Sequence, residues 1–323
     1  MTRSKHKADD NNLIPFHYEA VLKWLCFIHN EDGSLNKDIK DELQDFIDEL
    51  TAFVPLVPIQ GETYPFVFSV DDEEDIIRIN TTIYAPEDTS TKMHNNFYDW
   101  YIEGRIKDLC FIINLAYPSL LHINGGTINC NGESICDKFK YSSDFFSLAD
   151  ELCIWPTIEE LTIEECWSWI QNKTNFLSDI SKTPMDRALH ALSFSDANEN
   201  TYIFYVLLGI EAIYNDGSNK EDSILEQLRR KTKVLLGEYP QDKEKYIKKQ
   251  INEMYRMRSL LVHGGTNIQK CWNTFESSDE EFDKFMSQRE PIILATAILL
   301  ATIQKFIKAN ANTITETITV NLE

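Results

Sequence analysis

From Pro184 to about Lys308 apolar residues recur at helical spacing with few breaks, and this stretch constrains the fold more than any other feature. The period predicts helices near residues 185–195, 199–215, 221–236, 241–263 and 289–309. They are broken by the Asp216, Gly217, Ser218 turn, by Gly237 with Pro240, and by Gly264 with Gly265. Amphipathic helices in series bury their stripes against one another, so this part is expected to be a helical bundle. The longest apolar run, Pro291 to Ile303, has the length of a buried helix and falls short of the roughly 20 residues that cross a bilayer. A soluble protein with no membrane partner is expected. The connection 266–285, acidic at Asp279, Glu280, Glu281 and Asp283, reads as a surface excursion. The tail from Thr313 to Leu322 alternates like a strand that returns to the N-terminal part.

The first half is mixed. Met1 to Asn12 is polar and reads as a frayed tail without a signal peptide. Residues 38–50 carry Ile39, Leu43, Phe46, Ile47 and Leu50 at helical spacing. Tyr64 to Val70 and Ile76 to Tyr84 are β-rich runs joined by the acidic stretch Asp71 to Asp75, which predicts a hairpin. A helix is expected from about Asn96 to Leu115, with Tyr98, Ile102, Ile106, Leu109 and Ile113 on one stripe and Pro118 beyond its end. Gly125, Gly126 and Gly132 mark a loop or short-strand region, and helices resume near Ser143 and over Thr157 to Asn172. The fold class read from this pattern is α+β, a mixed N-terminal domain over 1–180 followed by an all-α bundle over 181–323.

Composition removes several functions. With 31 Lys and Arg against 52 Asp and Glu the chain carries −21, so its average surface repels polyanions and any nucleic-acid contact is local. One segment departs from this. Lys220 to Leu260 holds eleven Lys and Arg against seven Asp and Glu, a net +4 that leaves −25 for the remainder. That contrast could focus phosphates on the helices near 221–263, although Lys243, Lys245, Lys248 and Lys249 also fit a plain solvated face. The seven cysteines include no C-x-x-C pair, which fits reduced thiols in a cytoplasmic protein better than a disulfide framework or zinc ribbon. The carboxylates of Asp71 to Asp75 lack the spacing of a calcium loop, and His17, His29, His94, His122 and His190 have no convergent spacing. No P-loop, GxSxG or HExxH pattern occurs, so neither a metal nor a cofactor is expected.

The constellation that carries chemistry is Arg258-Ser259-Leu260-Leu261-Val262-His263, with Gly264 and Gly265 after it. The seam of its helix runs Ile247, Ile251, Met254, Arg258, Leu261, so an arginine stands where the 3-4 spacing reserves a core or interface position. A guanidinium there needs a counter-charge or an anionic ligand. His263 lies five residues on, an offset of about 140°, so the two side chains do not share a face. Either Arg258 reaches along the helix end or a second copy supplies the missing half. The double glycine stops the helix, placing the imidazole where the helix C-terminus raises its pKa and Arg258 opposes the rise, a balance suited to titration near neutrality. In RNA cleavage such a histidine takes a proton from a 2′-hydroxyl or gives one to the leaving oxygen, and the arginine holds phosphate oxygens. The same spacing also fits an interfacial arginine bridged to a core glutamate beside an ordinary helix-end histidine. Glu211, on the nearly all-apolar helix Ile203 to Tyr214, needs such a partner. Arg258 is the choice that would orient the guanidinium, and Arg229 or Arg230 would make a purely structural bridge.

Three segments in order, Tyr202 through Glu211 to Asn215, Leu228 to Lys231 with Leu235 to Gly237, and Met254 to Gly265, resemble the Apea-like branch of the HEPN domains over roughly residues 185–307. The family motif, an Arg, a usually polar residue and a His after four to six intervening positions, maps onto Arg258, Ser259 and His263. Ser259 departs from the Asn, Asp or His common at that position in HEPN ribonucleases. The resemblance implies an HEPN-like helical bundle that dimerises with two motifs facing, a metal-independent endoribonuclease acting on RNA, and use in antiviral defence or a toxin system. Arg258 and His263 would then be the catalytic pair, with Ser259, Glu211 and Tyr255 in support. The N-terminal domain would sense or restrain, answering a protein regulator or phage trigger. The rival reading is a catalytically silent HEPN module that binds or regulates other proteins.

Overall fold

The computed structural model describes residues 13–24, 40–71, 74–86, 92–118, 120–178, 180–194, 199–215, 223–263 and 279–314. The protein is α+β: an antiparallel five-stranded sheet lies in the N-terminal part and helices make up the C-terminal part. Two compact units divide the chain, one comprising Met1–Cys110 with Ile123–Tyr141 and the other Phe111–His122 with Ser142–Glu323.

In the first unit the sheet is built around β1 (Leu13–Trp24), an element that the sequence reading left unassigned. Its alternation is plain once the strand is known: Phe16, Tyr18, Ala20, Leu22 and Trp24 are buried, and the residues between them are open or half-open. β1 pairs with β5 (Ile76–Pro86) on one side and β6 (Ile123–Cys130) on the other. β4 (Val67–Asp71) and β7 (Glu133–Cys136) complete the order β4-β5-β1-β6-β7. The expected hairpin across the acidic stretch is present as β4–β5. Its first run is divided, however, because the chain leaves the sheet at Phe66 and β3 (Glu62–Pro65) pairs instead with β2 (Leu56–Ile59). Gln60 and Gly61 turn that small hairpin with positive φ at both positions, as Asn131 and Gly132 do between β6 and β7. Both fit the primed turns that match strand twist. The buried sheet face is covered by α1 (Lys40–Ala52), whose Phe46 packs on Trp24, and by the start of α2 (Lys92–Ala116), where the Tyr18 hydroxyl donates to Asp99 at 3.2 Å.

The second unit is helical around α9 (Asp279–Lys308), which packs against every other helix that begins in that unit. These are α3 (Asp144–Leu152), α4 (Ile163–Lys173), α5 (Pro184–Ser193), α6 (Glu199–Tyr214), α7 (Ile224–Leu236) and α8 (Glu244–Val262). Arg289–Lys308 is long and apolar enough to cross a membrane, and 89% of its apolar window is buried inside the protein. The polar groups it carries are satisfied within the core. Thr296 and Thr302 donate to Ile292 and Ile298 carbonyls, and buried Gln304 links Leu115 to Glu159.

Local signals explain the helix starts. Thr162 and Thr183 each form a reciprocal capping box, with Glu165 and Asp186, and Ser223 caps α7. The capping box at Thr162 corrects the expected start of α4 from Thr157 to Ile163, since residues 157–161 run outside the helix. Asp279, Glu280, Glu281 and Asp283 belong to the first turns of α9 rather than to a loop. Pro291 lies inside this helix without ending it. Of the expected tail strand, Thr313 to Leu322, the residues from 315 on lie outside the described residues, as do Met1 to Asn12, residues 266–278 of the expected connection and the double glycine after His263.

Candidate functional site

Gly209 decides how closely α6 can approach its neighbours. A Cβ there would stand 2.8 Å from the Leu299 side chain and 3.1 Å from the Ala191 Cβ, so only glycine permits the present contact with α5 and α9. Two residues further along α6 comes Glu211, on the side that faces α8. The apolar seam of α8 is buried at Ile247, Ile251 and Met254. One turn later the same seam presents Arg258 to Glu211.

The two side chains form an ion pair. Arg258 Nη2 donates to Glu211 Oε2 at 3.0 Å, and Nε lies 2.8 Å from Oε1. The second approach is close but poorly aligned, so Nε and Oε1 are both buried without a hydrogen bond. Glu211 keeps only 13% of its side-chain exposure and Arg258 keeps 31%, which leaves the guanidinium reachable from solvent and the carboxylate almost enclosed. Tyr255, one turn back from Ser259 on α8, brings a third unsatisfied atom: its phenolic oxygen is buried and has no partner. Burial, then the Glu211 carboxylate, push the phenol well above its ordinary value, against a weaker opposing pull from Arg258. It therefore stays protonated and cannot serve as a base. Three buried polar atoms thus lack a hydrogen bond here, two of them within the ion pair itself and the third the neighbouring phenol.

His263 is placed differently. It caps α8 with φ −97° and ψ 7°, and its backbone N–H donates to the Ser259 carbonyl at 3.0 Å. Both Ser259 and His263 are exposed. Among the described residues no hydrogen bond or ion pair joins His263 to Arg258, in keeping with the offset of about 140° between them. The structure thus brings together Arg258, Glu211 and Tyr255, and sets Ser259 with His263 on another side of the same helix. Arg229 does not serve Glu211, since its Nη2 donates to Asn252 at 2.6 Å.

Other sequence candidates have structural employment. His190 bonds Ser181 at 2.5 Å and the Phe176 carbonyl at 3.0 Å. His17 bonds Thr82 at 3.0 Å on the sheet. No group of three or more His, Cys, Asp or Glu that could hold a metal occurs among the described residues. The five described cysteines, Cys110, Cys130, Cys136, Cys153 and Cys166, are free thiols. The basic segment noted in the sequence takes a narrower form on α8, where Lys245, Lys249, Asn252, Arg256, Ser259 and His263 follow at alternating spacings of four and three and are all exposed.

No protein-family model, curated protein or solved structure matches this chain.

Proposed function

We propose that the chain is a metal-independent endoribonuclease of HEPN type in which Arg258 and His263 act on RNA in a composite site made by two copies. The observation that carries this reading is the helix α8 itself. It presents a partly open guanidinium, oriented by an enclosed carboxylate and flanked by an unsatisfied phenol, and it ends in an exposed imidazole. A guanidinium so held can bind two phosphate oxygens without first losing its orientation. Tyr255 lies behind the pair as a buried supporting residue. Glu211 is a positioning residue, because its oxygens face Arg258.

The chemistry balances with these groups. His263 of one copy accepts the 2′-hydroxyl proton, the 2′-oxygen bonds to phosphorus, and the P–O5′ bond breaks. A protonated His263 from the second copy gives its proton to the 5′-oxygen, and a 2′,3′-cyclic phosphate remains. Because Arg258 and His263 of one helix are about 140° apart, a two-fold axis beside the helix end is the arrangement that surrounds one phosphate with both types of group. In this reading the N-terminal domain, 1–180, senses a trigger or restrains cleavage, as in a toxin or antiviral system.

A specific observation favours the rival, a silent interaction module: Arg258 already has a carboxylate partner and His263 stands apart from it. Incubating purified protein with single-stranded RNA in EDTA separates the two. Cleavage to 2′,3′-cyclic phosphate ends is expected. Products with 3′-hydroxyl ends, or activity restored only by Mg²⁺, would overturn the mechanism, and intact RNA at every concentration would leave the silent module as the reading.

A further inference from the structure

We infer that the exposed stripe of α8 formed by Lys245, Lys249, Asn252 and Arg256 is a binding track for the backbone of single-stranded RNA, leading to Ser259 and His263 at the helix end. The inference rests on the nuclease reading for the meaning of that end point, but its own observations are separate. Spacings of four, three, four, three and four keep the six residues within one narrow face, and each of them is exposed. From Lys245 to His263 the stripe runs about 27 Å at 1.5 Å per residue, enough to follow several successive phosphates.

Charge identifies the occupant. The chain as a whole carries −21, and polyanions are repelled from most of it, yet this face contributes two lysines and an arginine and no acidic residue of its own. Among the described residues no ion pair engages Lys245 or Lys249. Arg256 is held by Glu253 at 2.6 Å on an open surface, a pair weak enough for a phosphate to compete with. Arg229, reaching across from α7 to Asn252, adds a further cation at the middle of the track and leaves the Asn252 amide free to donate. Flexible cations alternating with an amide and a hydroxyl suit a backbone of phosphates and ribose oxygens. A single strand fits because one helix face offers a line of contacts rather than two walls.

The experiment uses the full chain and a 2′-O-methylated single-stranded RNA of mixed sequence, which cannot be cleaved through its 2′-oxygen, so binding is read whether or not the protein is a nuclease. The variant Lys245→Gln, Lys249→Gln, Arg256→Gln removes three exposed cations while keeping helix-forming side chains. Each lost phosphate contact lowers the slope of log affinity against log salt by about 0.7 for a single strand, so three lower it by about 2. At 50 mM salt affinity falls on the order of a hundredfold. A control of equal charge change outside α8, Lys173→Gln, Lys182→Gln, Arg187→Gln, is expected to bind within about threefold of the parent. Equal losses in both variants, an unchanged salt slope in the α8 variant, or displacement of the RNA by polyglutamate at matched charge would each overturn the track. Failure of cleavage with the track result intact would instead remove the nuclease reading and leave an RNA-binding face.

Discussion

Replacing Glu211 with Gln tests whether the ion pair organises Arg258 or merely accompanies it. The substitution keeps shape and removes the charge, leaving the guanidinium one neutral acceptor. Breaking a fully buried pair costs about 3 to 5 kcal/mol, and exposed pairs are worth about 0.2 to 1 kcal/mol. With Glu211 13% and Arg258 31% exposed, and only one of two approaches aligned, the geometry lies between these limits. We expect a loss of about 2 kcal/mol in the second unit. For a unit of this size that is a fall in Tm of about 4 to 8 °C by calorimetry. A double-mutant cycle with Arg258→Gln should return a coupling of about 1 to 2 kcal/mol, because each single change removes the same contact. Cleavage should fall in Glu211→Gln by less than in Arg258→Ala, since the phosphate-binding group is retained but less well oriented. Single effects that add to within about 0.5 kcal/mol would show that the two residues are energetically independent and would refute the positioning role.

Four further outcomes follow from the same contacts. Tyr255→Phe removes a buried hydroxyl that has no partner, so stability should hold or rise by about 1 kcal/mol in urea titration while RNA cleavage drops; equal activity would remove Tyr255 from the site. Gly209→Ala drives a Cβ toward Leu299 and Ala191, and the resulting overpacking, about 1 to 3 kcal/mol less the helix propensity gained, should lower Tm. Asp186 is pushed up by burial, but hydrogen bonds from Asn175, Lys182 and Thr183 outweigh this and hold it below 3.8. Its contribution is therefore complete above pH 3.8 and lost as pH falls through the lower folded value, and Asp186→Asn should flatten the acid side of a urea-midpoint profile. Mixing Arg258→Ala chains with parental chains should depress cleavage beyond dilution, whereas activity proportional to parental subunits, or full activity in a monomer by light scattering, would eliminate the composite site.

Much of the helical part is legible without coordinates, because burial on one face imposes the 3.6-residue period on the apolar positions and turn residues mark the ends. The capping boxes at Thr162 and Thr183 show the same legibility at single-residue scale. The demand of Glu211 for a cation and the angular separation of Arg258 from His263 also follow from sequence, as both rest on helix geometry and the cost of burying charge. β1 was legible in principle from the alternation of Phe16, Tyr18, Ala20, Leu22 and Trp24, and Asn131-Gly132 from its turn chemistry.

Only the tertiary structure decided which cation Glu211 received. Arg229, Arg230 and Arg258 are equivalent to a carboxylate in isolation, and the choice depends on the packing that sets the seam of α8 against α6 and brings Arg258 within reach of Glu211. The sheet order around β1 was likewise undetermined locally, since strand pairing joins residues as far apart as Tyr18 and Cys130. The orphaned phenol of Tyr255 belongs to the same class. A side chain's local pattern states that it is half apolar, but whether its hydroxyl finds a partner depends on which atoms other helices bring within 3 Å or so, and that is settled by packing alone.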